Sequence, residues 1–212
     1  LYVLLVTWGA VRAGREFADP KIPPFSAIPL ALAALTRADG FVPAVALTPF
    51  YLATARANPG RCARWLGGWV AVVVATTVWR ATYYGALVPN TFFVKVAPRP
   101  GSLKAGLAYT LDFLWRFTPL LALAPLAACR RRDFVPWWGV IGGVTLYVVA
   151  VGGDMRETFR FFLPVVPLLL IMVVATLRDV ADAASWVSRG ARIAIAAAFV
   201  ATPLLQFYPL WH

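Results

Sequence analysis

The chain has 212 residues, of which 61% are hydrophobic and only 14% charged, with a mean hydropathy of +0.73. Soluble domains carry about 25% charged residues, and here the apolar residues come in blocks of roughly 15 to 20, the length that matches a bilayer's hydrocarbon core. The net charge is +11, carried by 20 basic and 9 acidic residues; because the arginines gather between apolar blocks, the charge points to membrane topology and lipid phosphate and not to nucleic acid.

In chain order the apolar blocks fall near 1–10, 22–36, 41–55, 66–82, 113–128, 135–151, 161–177 and 193–209. Stretches such as WVAVVVATTVW (69–79), FLPVVPLLLIMVVATL (162–177) and IAIAAAFVATPLL (193–205) have no polar face to offer water. The expected fold is an all-α, polytopic transmembrane bundle of about seven spans plus one truncated span. The run 22–55, interrupted by TRADG (36–40), is expected to be a hairpin of two short helices. Pro119, Pro125, Pro164, Pro167 and Pro203 are expected to kink helices, as membrane bundles tolerate. Leu1 stands inside an apolar run with no signal peptide, so residues 1–212 are expected to be part of a longer protein's transmembrane domain, without its N-terminal catalytic loop or any C-terminal extracytoplasmic domain.

If the chain crosses at every block, one side receives 11–21, 56–65, 129–134 and 178–192, with three basic residues each. The other side receives the remaining eight: Arg37, Arg80, Lys95, Arg99, Lys104, Arg116, Arg156 and Arg160. By the positive-inside rule the first set is cytoplasmic, which places the segment 83–112 and the loop 152–160 outside a plasma membrane. Cys62 and Cys129 then lie in basic connecting loops as reduced thiols, without the spacing of a metal site. The single histidine is His212, which excludes histidine-based catalysis from the body of the chain.

Three polar clusters share the outward side. They are Arg37 with Asp39; Arg80 with Tyr83, Tyr84, Asn90, Thr91 and Lys95; and GGDMRETFR (152–160), which carries Asp154, Arg156, Glu157 and Arg160. Ionisable groups at the ends of membrane helices are costly unless paired, hydrated or used. Arginines hold phosphate through bidentate hydrogen bonds, carboxylates and amides orient sugar hydroxyls, and aromatic rings stack on sugar faces. The simpler alternatives are an Arg37–Asp39 pair that closes a turn and an aromatic belt at Tyr83 and Tyr84.

YYGALVPNTFFVK (83–95), led by Arg80, resembles the YYGDLLPNTYYAK signature of GT-C-type, polyprenyl-phosphate-dependent glycosyltransferases, the bacterial family that includes the terminal β-(1→2)-arabinofuranosyltransferase of mycobacterial cell walls and related multi-pass proteins. LAALTRADG (32–40) resembles a LAALTRPDG hairpin, and GGDMRETFRFFLPVVPLL (152–169) resembles GGDWMPGYRFLVPVLPLL, in the same order. The sequence departs from these patterns with Ala86 for an acidic residue, Ala38 for Pro, and the added charge of Met155-Arg156-Glu157.

The resemblance implies a GT-C fold, a polyprenyl-phosphate-linked sugar (arabinofuranose) as donor, and a cell-wall polysaccharide outside the membrane as acceptor, with membrane lipids as neighbours and no nucleic acid. Arg37, Arg80, Lys95, Arg156 and Arg160 are the candidates for the donor phosphate. Asp39, Tyr83, Tyr84, Asn90, Thr91 and Asp154 are the candidates for sugar and acceptor. The family's catalytic carboxylate belongs to a loop that would precede Leu1, so no catalytic base is assigned here. No cofactor is expected beyond the lipid-linked donor, and the sequence does not indicate a divalent metal. The alternatives are a non-catalytic membrane protein on the same scaffold and, further off, a transporter.

Overall fold

A computed structural model describes residues 1–37, 39–85, 101–118, 120–122, 124, 131–154, 159–183 and 197. Among them the regular structure is entirely helical: α1 (Tyr2–Ala18), α2 (Ala27–Thr36), α3 (Val42–Ala53), α4 (Pro59–Tyr84), α5 (Ser102–Arg116), a 3-10 turn (Arg132–Phe134), α6 (Val135–Val151) and α7 (Val166–Ala183). Two of these segments are long and apolar enough to cross a membrane, Pro59–Tyr84 and Arg132–Val151. At 1.5 Å per residue the 26-residue α4 is about 39 Å long, whereas the 10 residues of α2 reach only about 15 Å. The 22–55 run is therefore a hairpin of two short helices, α2 and α3, joined at residues 37–41.

α6 is the centre of the bundle, packed on α3, α5 and α1, while α2 packs on α1 and α4. Small residues allow these close approaches. A side chain at Gly106 of α5 would stand 2.4 Å from the carbonyl oxygen of Val149 in α6, so Gly106, Thr110 and Phe113 form the buried face of α5 at helical spacing. Gly106→Val is expected to destabilise the fold by about 1–3 kcal/mol through overpacking against backbone that cannot yield, read as a lower midpoint of thermal unfolding in detergent.

The helices differ from the expected blocks at several ends. The chain is already helical from Ser102, eleven residues before the apolar block at 113–128, because LKAGLAYTLDFLW repeats its small and apolar residues at the helical period. Helix also runs through residues expected in basic loops: Arg12 and Arg15 lie on α1, Arg61 and Arg64 on α4, and Arg178 on α7. Cys62, expected in a loop, is buried in the first turns of α4. Pro167 opens α7 at its second position, where no hydrogen bond is lost, and Pro164 precedes the helix, so neither kinks one. Pro119, Pro125, Pro203, Cys129 and the block 193–209, apart from Ala197, lie outside the described residues.

Contacts at the helix ends divide the bundle's polar groups between two poles. At one pole Tyr2 of α1 meets Arg37, and Gly152, just after α6, meets Ser102 at the start of α5. At the other pole Glu16 of α1 meets Ser26 and Tyr51, Gly14 approaches Asp133, and Arg131 lies 3.7 Å from Asp179 of α7. Tyr2 and Glu16 are fourteen residues apart on one helix, so the poles are separated by about 21 Å along α1.

Candidate functional site

The first pole collects two of the three expected clusters. Between α2 and α3 the chain turns at Arg37–Gly40, closed by the Gly40 amide donating to the Arg37 carbonyl at 3.0 Å. Gly40 is required there because a Cβ would fall 2.1 Å from the Ala33 carbonyl oxygen. The turn holds Asp39 beneath Arg37, whose Nε and Nη2 donate to Asp39 Oδ1 at 2.8 Å and Oδ2 at 3.0 Å. Burial opposes the Arg37 charge, but its hydrogen bonds to Asp39 and the negative charge of that carboxylate outweigh it and hold the guanidinium above its usual range.

From the other direction, Gly152 and Gly153 take left-handed backbone (φ 93° and 77°) and end α6, both amides donating to the Val148 carbonyl. This delivers Asp154, whose carboxylate is 2% exposed, to Arg160. Arg160 Nη2 donates to Asp154 Oδ1 at 2.7 Å, and Nε pairs with Oδ2.

The two pairs meet on Phe161. Arg37 lies 5.7 Å and Arg160 5.5 Å from the centre of that ring, distances at which a cation is attracted to an aromatic face. Tyr2 stands under Arg37 at 5.1 Å, and Tyr147 of α6 packs edge-on to Phe161 at 6.3 Å. Behind them Phe113 stacks on Phe162 at 4.0 Å, and Tyr109 packs on Phe159 at 5.1 Å. This aromatic layer fixes the 159–165 segment against α5.

Of the residues singled out from sequence, the structure brings together Arg37, Asp39, Asp154 and Arg160. Arg80, Tyr83 and Tyr84 lie in the last turns of α4. Tyr83 and Tyr84 pack on Trp79 (5.6 and 5.7 Å) and on each other, and among the described residues no hydrogen bond, ion pair or ring contact joins them or Arg80 to the Phe161 group. Asn90, Thr91, Lys95 and Arg156 lie outside the described residues. The partners that sequence reasoning missed are Tyr2, Tyr147 and Phe161, ordinary aromatic residues in apolar runs with no local mark. Among the described residues no three His, Cys, Asp or Glu side chains form a group able to hold a metal ion.

The second pole contains a buried carboxylate that the sequence reading left out. Glu16, 1% exposed, accepts from the Ser26 amide and hydroxyl, both at 2.8 Å, from the Tyr51 hydroxyl, and from Arg12 Nε at 3.3 Å. Trp65 donates to the Ser26 hydroxyl at 2.9 Å and stacks on Tyr51 at 4.1 Å. One side chain of α1 thus binds α3 directly, the α1–α2 connection at Ser26, and α4 through Ser26. The sequence signal for it was its register: Leu5, Val6, Gly9, Ala10, Ala13 and Glu16 lie on one helical face.

Comparison with protein-family models, curated proteins and solved structures gives no match for this chain.

Proposed function

We propose that this chain is part of a multi-pass plasma-membrane glycosyltransferase of the GT-C type, moving a sugar, arabinofuranose, from a polyprenyl-phosphate donor to a cell-wall polysaccharide. In this reading the GT-C-like bundle comprises about seven spans plus a truncated one, the basic connections face the cytoplasm, and the Phe161 pole faces outward. The observation that carries the proposal is the meeting of Arg37–Asp39 and Arg160–Asp154 on one aromatic ring, at one end of the bundle. Such an end offers cation edges to a departing phosphate, carboxylates to sugar hydroxyls, and rings to a sugar face. The acceptor hydroxyl would lose its proton to a carboxylate outside residues 1–212.

A specific observation favours a second reading, the non-catalytic scaffold. Both arginines at the pole already donate to a carboxylate, so an incoming phosphate would compete with those bonds. The two readings separate in membranes that carry the full-length protein, given radiolabelled decaprenyl-phosphate arabinofuranose and an arabinan oligosaccharide. The glycosyltransferase reading expects label in the acceptor, and a loss of about tenfold or more in Arg37→Ala at equal expression, the worth of one charge-assisted hydrogen bond. No transfer from this donor, or from lipid-linked hexoses, would leave the scaffold.

A further inference from the structure

Helix α4 carries charge at Arg64 and again at Arg80 and none between, so its uncharged stretch is residues 65–79. The whole of that stretch is helical, which makes it about 22 Å long. The neighbouring hairpin is shorter still: the 10 residues of α2 and the 12 of α3 reach about 15 and 18 Å. A typical hydrocarbon core is about 30 Å thick and calls for roughly 20 apolar residues. Helix α6 does lie in such a run, residues 134–153, but it is the helix at the centre of the bundle.

The short helices form one side of the molecule. α2 and α4 lie together, close enough that a Cβ at Gly68 would stand 3.2 Å from that of Ala27. Away from this contact Ile28, Leu32 and Leu35 of α2 and Val70, Val74 and Val78 of α4 are exposed at helical spacing. Directly above them Trp79 stacks on Tyr83 at 5.6 Å, and both rings are exposed; such amphipathic rings collect where a bilayer meets water. Arg80 stands beside them. Side chains on a helix tilt toward its N-terminus, so Arg80, near the C-terminal end of α4, leans toward the apolar stretch and does not lengthen it. In a core of about 30 Å one charged end of that stretch would lie in hydrocarbon, which is costly.

We infer that the α2–α4 face fits a bilayer whose hydrocarbon region is about 22 Å thick, and that the protein thins the membrane along this face. The partner is lipid with short acyl chains. The inference rests on the chain crossing a membrane and not on sugar transfer, which the assay above decides separately.

The test places a bimane fluorophore on Val74→Cys, midway along the exposed side of α4, in the full chain with Cys62→Ala and Cys129→Ala. The protein is reconstituted in brominated dioleoyl-phosphatidylcholine, which quenches the probe on contact. Unbrominated phosphatidylcholines with dimyristoleoyl, dioleoyl or dierucoyl chains are then mixed in to compete. Quenching is expected, with the shortest chains relieving it best and binding about threefold or more tightly than the longest. Arg80→Leu extends the uncharged run to residues 65–84, about 30 Å, and is expected to move the preference to dioleoyl chains. Arg80→Lys keeps the charge and is expected to keep the preference for short chains. Quenching that every chain length relieves equally, or that longer chains relieve best, would overturn the inference while leaving the protein in the membrane. No quenching at all would show this face covered by protein or outside the bilayer, and would overturn it as well.

Discussion

Glu16→Ala is expected to lower the stability of the fold by about 3–5 kcal/mol, the range found when one partner of a buried charged network is removed. The substitution strands the Ser26 amide, removes the shared acceptor of the Ser26 and Tyr51 hydroxyls, which stand 2.9 Å apart and can satisfy only one donor between them, and leaves Arg12 without its carboxylate. An unsatisfied buried donor costs about 1–3 kcal/mol, so the loss accumulates over several groups. Tyr51→Phe removes one donor and keeps the stack on Trp65; about 1 kcal/mol is expected. Denaturant or thermal unfolding in detergent measures both, and a Glu16→Ala protein as stable as Tyr51→Phe would show that the network does not hold α1 to α3 and α4. The network matters because a carboxylate only 1% exposed needs its lone pairs satisfied from within the protein.

The second large effect concerns activity. If the proposed glycosyltransferase reading holds, Asp154→Ala is expected to reduce sugar transfer by about a hundredfold at unchanged expression, since misplacing a positioning group by about 1 Å has that cost. Asp154 is the buried member of its pair, and without it nothing described on the 152–154 turn holds Arg160 over Phe161. Asp154→Asn keeps an oxygen able to accept from Arg160 Nη2, and a loss nearer tenfold is expected. The ordering Ala below Asn below wild type, measured as initial rates in membranes, distinguishes charge and position from mere bulk. Equal rates in all three would reduce the 152–160 turn to a structural closure of α6.

Much of the helical plan was legible because apolar block length and breaker residues act locally. The block 135–151 coincides with α6, and TRADG marks the turn between α2 and α3, where Gly40 is the only residue that fits against Ala33. The beginning of α5 was not legible by hydropathy, since residues 102–112 include Lys104, Thr110 and Asp112 and declare themselves only through the Gly106–Thr110–Phe113 spacing. At the candidate site, sequence reasoning found the charged residues, because charge is conspicuous in apolar surroundings. It gave arginines to phosphate and carboxylates to sugar, with an Arg37–Asp39 pair closing a turn as the simpler alternative; the structure forms that pair and also joins Arg160 to Asp154. What lay beyond sequence is the meeting of the two pairs: Phe161 links two turns more than a hundred residues apart, and no local pattern encodes it.

The proposed orientation puts the Phe161 pole outside the membrane and the Glu16 pole on the cytoplasmic side. Labelling with a membrane-impermeant maleimide tests it directly, in a background with Cys62→Ala and Cys129→Ala, on single cysteines placed at the exposed residues Lys104 and Arg56. In right-side-out vesicles Lys104→Cys is expected to react and Arg56→Cys to stay protected, with the pattern reversed in inverted vesicles. Protection of Lys104→Cys together with labelling of Arg56→Cys in right-side-out vesicles would turn the paired arginines toward the cytoplasm, and transfer to an extracytoplasmic glycan at that pole would be contradicted.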